Sequence, residues 1–168
     1  MELTLTTLPV WLTPLALIAA VASAAVTGAL FQPGAWYRTL RKPGWTPPDW
    51  LFPIAWTALY FAMALAAWLV VVSGSPLAFA ALALWTWQLV LNALWSPVFF
   101  GLRRMGAAFA VIVLLWIAVA ATARLFLEVS VVAGALLLPY LVWVSYAAAL
   151  NLAVWLMNPG VSARVADD

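Results

Sequence analysis

Five long apolar runs divide the chain, at about Leu8–Phe31, Leu51–Val72, Leu77–Phe100, Met105–Leu127 and Val131–Met157. A helix rises 1.5 Å per residue, so about 20 residues cross a hydrocarbon core about 30 Å thick, and every run is long enough. The pattern predicts an all-α integral membrane protein, a bundle of five transmembrane helices forming one domain over residues 1–168. The breaks are short: Ser73-Gly74-Ser75-Pro76, then Gly101-Leu102-Arg103-Arg104, then Val129-Ser130. Short connections favour antiparallel neighbours. Pro9 and Pro14 stand near the start of the first run, where a missing backbone donor costs least. A cleaved signal peptide is disfavoured, because Glu2 is the only charge before that run and no basic segment precedes it.

The one long polar interruption is residues 32–50. It contains Pro43, Pro47 and Pro48, which restrict the backbone and push the residues before them towards extended conformations. A stiff folded loop is expected there, neither helix nor floppy tether. It leads into Leu51-Phe52-Pro53-Ile54-Ala55-Trp56, an aromatic helix start, and that junction is the expected mouth of a site under a lid.

Polar residues inside the runs carry the next signal. Gln88, Asn92 and Ser96 recur every four residues and share one face of the third helix, which should point inward. In hydrocarbon such groups need partners, as does Asn151. One reading is helix–helix hydrogen bonding; the other is a pocket with aromatic walls and sparse polar handles. Asn92 and Trp95 on the third helix, Trp56 and Tyr60 on the second, and Trp143 and Ala147 on the fifth are its candidate lining. Ala20, Ala24 and Gly28 form a smooth stripe for close helix approach, and Arg124 and Glu128 are spaced for an interfacial ion pair. The polar tail after Asn158 should be frayed.

Composition sharpens this picture. Of the residues 68% are hydrophobic and 7% charged, and the net charge of +2 is too small and too dispersed for nucleic acid. The chain has no Cys and no His, which removes disulfides, thiolate nucleophiles, Ser-His pairs and the usual zinc, copper and haem-iron ligands. No metal site and no required cofactor are expected. Twelve tryptophans exceed what an interfacial belt needs, so some of Trp56, Trp85, Trp87 and Trp116 should line contacts or a cavity. No charge lies mid-span, as an ion or proton pathway would require, and the carboxylates are too scattered for paired acid–base catalysis. Arg38, Arg41, Lys42, Arg103, Arg104 and Arg164 fall on one side of a five-span topology. By the positive-inside rule the N-terminus is outside, and the first loop and C-terminus are cytoplasmic, if the membrane is a bacterial inner membrane.

The segment Trp36-Tyr37, Leu40, Lys42-Pro43, Trp45-Thr46-Pro47-Pro48, Phe52-Pro53, Ala55-Trp56-Thr57 and Leu59-Tyr60 resembles the tryptophan-rich sensory protein and translocator protein (TspO/MBR) family, also called peripheral benzodiazepine receptors. Leu91-Asn92 through Trp95-Ser96-Pro97-Val98-Phe99-Phe100-Gly101, and Pro139-Tyr140-Leu141-Val142-Trp143 through Leu150-Asn151, resemble that family's third and fifth helices. The resemblance implies a five-helix membrane bundle, commonly a homodimer, with a pocket beneath the first loop. It implies porphyrins or haem-type tetrapyrroles, and isoquinoline or benzodiazepine drugs, as ligands. Tyr37, Pro47, Trp56, Tyr60, Asn92, Trp95, Trp143 and Ala147 match its ligand-contacting positions. Trp56 and Trp143 match two tryptophans linked in some members to light-dependent porphyrin breakdown. Three functions follow as expectations: a tetrapyrrole-binding sensor or transport protein, an enzyme that degrades porphyrin in light, and a structural membrane protein. The animal-type cholesterol motif is not matched, since Leu152 and Leu156 stand where it needs Tyr and a basic residue.

Overall fold

The computed structural model describes residues 12–164, with side chains to Val161. The helices are α1 (Leu12–Leu30), α2 (Ala35–Thr39), α3 (Leu51–Val72), α4 (Ala78–Ser96), α5 (Met105–Val129), α6 (Val131–Met157) and α7 (Pro159–Arg164), with a π-helical turn at Pro97–Gly101 extending α4. Five segments are long and apolar enough to cross a membrane: α1, α3, α4 with its π turn, α5 and α6. The expected start of the first run, residues 8–11, lies outside the described residues.

Three local expectations are corrected. The first loop is not free of helix, because α2 forms one turn after Pro33-Gly34 and upstream of the proline-restricted stretch. The segment after Asn158 is not simply frayed: Pro159 opens α7, where its fixed φ and missing donor suit a helix start. The fourth helix runs to Val129 instead of ending at Leu127, so Ser130 alone joins it to α6. Ser130 starts α6 by accepting a hydrogen bond from the Ala133 amide through its side chain.

The main helix contacts run α1 to α3, α3 to α6, α6 to α5, α5 to α4, and α4 back to α1. The spans thus close a ring in the order α1–α3–α6–α5–α4. Sequential neighbours α3 and α4 touch less than either touches its neighbours in the ring. Small residues set how closely the ring closes. Ala66, Ala67, Ala81, Ala108 and Ala133 are fully buried, and a side chain at Gly134 would collide with Leu127 of α5, whose backbone nitrogen lies 2.7 Å from the added carbon. The α1 stripe is used only in part within the bundle: Ala24 is buried in the core and Ala20 is partly buried against it, whereas Gly28 is exposed. The Arg124–Glu128 pair forms at 3.1 Å on the surface.

At the other end the π turn widens the last turn of α4. The chain then reverses through Arg103, which holds a left-handed φ of 56°. This places Phe99 inward against Leu40, Met105, Leu150 and Val154. The first loop is docked onto that cluster.

Candidate functional site

Where α3, α4 and α6 face one another, the aromatic and amide side chains converge. The Tyr60 hydroxyl donates to Asn92 Oδ1 at 2.8 Å, and Asn92 Nδ2 donates to the Tyr140 hydroxyl oxygen at 2.9 Å. One amide therefore ties three helices together and fixes the orientation of two phenols. A second bridge lies nearby: Trp95 Nε1 donates to Asn151 Oδ1 at 3.1 Å, and Asn151 Nδ2 donates to the Met105 carbonyl at 3.0 Å. Each amide uses both ends of its side chain, which is how a polar group is carried inside a membrane bundle.

Around this brace the rings pack by edge and face. Trp56 stacks on Tyr60 at 5.3 Å between centroids and meets Tyr140 at 6.1 Å and Trp143 at 6.5 Å edge-on. Trp143 meets Phe52 at 5.9 Å and stacks on Tyr146 at 6.1 Å. Such offset and edge geometries are the favoured ones for aromatic pairs.

Trp143 and Tyr146 also form one wall of a cleft of about 610 Å³, whose other walls are Gly44–Pro48 of the first loop, Leu51, Pro139 and Val142. That volume lies within the range of small-molecule sites. The cleft wall is almost wholly apolar. Pro139, inside α6, lacks the amide that the Ala135 carbonyl would use.

The first loop is fastened to α6 at two points. Asn158 accepts from the Arg41 amide at 3.0 Å and donates to the Arg41 carbonyl at 2.9 Å, gripping the main chain of one residue through two successive peptide units. The Tyr146 hydroxyl donates to the Trp45 carbonyl at 2.6 Å. Between these points Lys42 Nζ sits 4.3 Å over the Tyr37 ring. Burial, and to a lesser degree the Asp49 carboxylate, push the Tyr37 phenol above its ordinary pKa.

Of the residues picked from sequence, Trp56, Tyr60, Asn92 and Trp143 come together in one contact network, and Pro47 lies across the cleft from Trp143. Ala147 is half-buried against the same core. Trp95 belongs to the neighbouring Asn151 bridge and stacks on Phe99 at 5.0 Å. Tyr37 is set apart: it packs edge-on against Phe99 and Phe100 in the cluster at the loop end. Gln88 is buried on the predicted face, its amide nitrogen 3.7 Å from Met63 Sδ. Of the other mid-run tryptophans, Trp85 is buried, while Trp87 and Trp116 are substantially exposed on the outer surface.

Sequence reasoning missed Tyr140, Tyr146, Trp45 and Asn158 as site-forming residues. Tyr140 and Tyr146 each lie three residues from Trp143, the helical spacing that places them beside it, and that signal was available. Nothing local announced that Asn158 would reach the main chain of a residue 117 positions away.

Comparison with known proteins agrees with this architecture. Residues 12–156 match the TspO/MBR family. Protein CrtK of Rhodobacter capsulatus is 49% identical over 145 residues, covering 84% of this chain and 89% of that protein. A tryptophan-rich sensory protein of Cereibacter sphaeroides is 46% identical over 149 residues, covering 88% of this chain and 92% of its own. The translocator protein of Homo sapiens is 37% identical over 158 residues, covering 90% and 94%. With the five-span ring and the match through all five spans, this chain belongs to the TspO/MBR family of integral, multi-pass membrane proteins.

Proposed function

We propose that this protein is a membrane sensor or transport protein that binds a tetrapyrrole of the porphyrin or haem type against the aromatic cluster of α3 and α6. The observation that carries the reading is the joining of Trp56, Tyr60, Tyr140 and Trp143 in one ring cluster braced by a single amide, Asn92, beside an apolar cleft. Flat ring faces with few polar handles suit a flat, largely apolar macrocycle. With no His or Cys in the chain, recognition rests on stacking and van der Waals contact. The names of the relatives, a sensory protein and a translocator protein, support the broader role. Isoquinoline and benzodiazepine drugs are proposed as ligands of the same surface, and homodimeric assembly is proposed on the family resemblance.

Titrating the purified protein with protoporphyrin IX in the dark tests the reading. Saturable quenching of Trp emission is expected, weakened at least tenfold by Trp143→Ala, which removes a ring worth more than 1.4 kcal/mol of contact. Unchanged emission at micromolar porphyrin overturns it. The edge-on pairing of Trp56 with Trp143 favours a second reading, light-dependent degradation of the bound porphyrin. Bleaching of the porphyrin absorption under illumination, lost in Trp56→Phe, supports that activity, and equal bleaching without protein rules it out.

A further inference from the structure

We infer that the ligand of this site enters sideways from the bilayer, through the cleft between the first loop and α6, and that the Tyr146–Trp45 hydrogen bond is the latch on that entrance. The inference rests on the binding reading above. It also names a ligand class: flat aromatic molecules dissolved in the membrane, as distinct from those confined to water.

Three observations carry it. First, the aqueous end is sealed. Leu40, Phe99 and Met105 are 6%, 2% and 0% exposed in one apolar cluster, with Trp36 and Tyr37 packed over it. The main chain there is held by Asn158 through both the amide and the carbonyl of Arg41, so lifting the loop at this point breaks two hydrogen bonds and exposes the cluster together. Second, the side is open. The cleft is walled by Pro47, Leu51, Pro139 and Val142, and Val142 is 70% exposed on a membrane-spanning helix, where exposure means lipid. At its inner end stands Trp143, whose ring meets Trp56 and so joins the cleft to the braced cluster. Third, of the two fastenings between loop and α6, the one at the cleft is the lighter. A single hydroxyl grips Trp45, and the Trp45 ring, 49% exposed, lies edge-on to Tyr146 at 5.5 Å. Asn158 and Tyr146 are about 18 Å apart along α6 at 1.5 Å per residue, so the second can release while the first holds.

A second surface cavity does not compete. It is lined by Pro53, Ile54, Thr57, Ala58 and Phe61, all on the outer side of α3, and touches none of the braced aromatic rings.

Stopped-flow Trp quenching in lipid vesicles, with protoporphyrin IX loaded in the bilayer and a sulfonated, water-confined porphyrin as the contrasting probe, tests the route. Tyr146→Phe keeps the ring and removes the latch. Association and dissociation of protoporphyrin IX should both quicken about fivefold, the effect of one net hydrogen bond. Val142→Trp fills the entrance from an exposed position that tolerates bulk, and both rates should fall about tenfold. The sulfonated probe should associate slowly with the unaltered protein and be indifferent to both changes. If both variants leave the protoporphyrin rates unmoved while Asn158→Ala raises them, the ligand enters from water and the inference is overturned, though the binding reading stands. Absence of equilibrium quenching in the unaltered protein overturns the binding reading, and the entrance falls with it.

Discussion

At the end of the bundle remote from the first loop, helices meet through Ala66, Ala67, Ala78, Ala81 and Gly134, with Trp85 and Phe126 buried beside them and the Thr122 hydroxyl satisfied within its own helix. At the loop end the same helices meet through Trp56, Asn92, Trp95, Trp143 and Asn151, and their amides hydrogen-bond across the bundle. In lipid there is no hydrophobic gain from bringing two apolar helices together, so the first end relies on backbones approaching closely. The second end adds amide bridges that join one helix to another among its aromatic rings. The same helices thus pass from Ala and Gly contacts at one end to Trp and Asn contacts at the other.

Substitutions can break either half. The largest effect is expected from Gly134→Ala, because the new methyl group would lie 2.7 Å from the immovable backbone nitrogen of Leu127. Loss of about 3 kcal/mol, the upper part of the overpacking range, should appear as a lowered unfolding midpoint in detergent. Asn151→Leu strands the Trp95 donor and removes the second hydrogen bond at the Met105 carbonyl, which keeps its partner within α5. Its cost should be about 0.6–1.7 kcal/mol, from the average to the largest value measured for intramembrane hydrogen bonds, with dark porphyrin quenching altered. If Asn151→Leu proves more damaging than Gly134→Ala, the contrast between the ends is wrong.

A smaller effect separates the loop from both ends. The Tyr37 phenol binds its proton more tightly in the folded protein than the ordinary value of 10.0, because of burial first and Asp49 second. Its contribution to stability is complete below pH 10 and is lost as pH rises through the raised folded value. Tyr37→Phe should flatten that alkaline decline in a pH series of unfolding midpoints. The smallest effect belongs to Arg124→Ala: the Arg124 side chain is 81% exposed, its pairing with Glu128 is screened, and the midpoint should not move measurably.

The five spans were legible because bilayer length is written directly into apolar run length, and the inward face of Gln88 and Asn92 because a four-residue spacing maps onto one helix side. Ring order was not legible. It puts α3 beside α6 and makes α4 a weaker neighbour of α3, though α4 follows it in the chain. Chain proximity alone does not determine such an arrangement. The candidate site was half readable: Trp56, Tyr60, Asn92 and Trp143 announce themselves as costly or bulky groups in hydrocarbon. Their partner Tyr140 was readable as well, from its three-residue spacing to Trp143, whereas the grip of Asn158 on Arg41 depends on where a loop returns, which no local pattern encodes. The π turn at Pro97–Gly101 is similar. Proline and glycine marked an ending, but not the widened turn that aims Phe99 inward.

The single-residue link at Ser130 has a consequence for anyone who wishes to engineer this protein. Val129 ends one span and Val131 begins the next, so an epitope, cysteine label or fluorescent insert placed there must unwind helix on both sides and shift Gly134 out of register with Leu127. The Ser73–Leu77 connection, at the same end of the bundle, contains Gly74 with its left-handed φ of 64° and open space around it. That is where a reporter belongs.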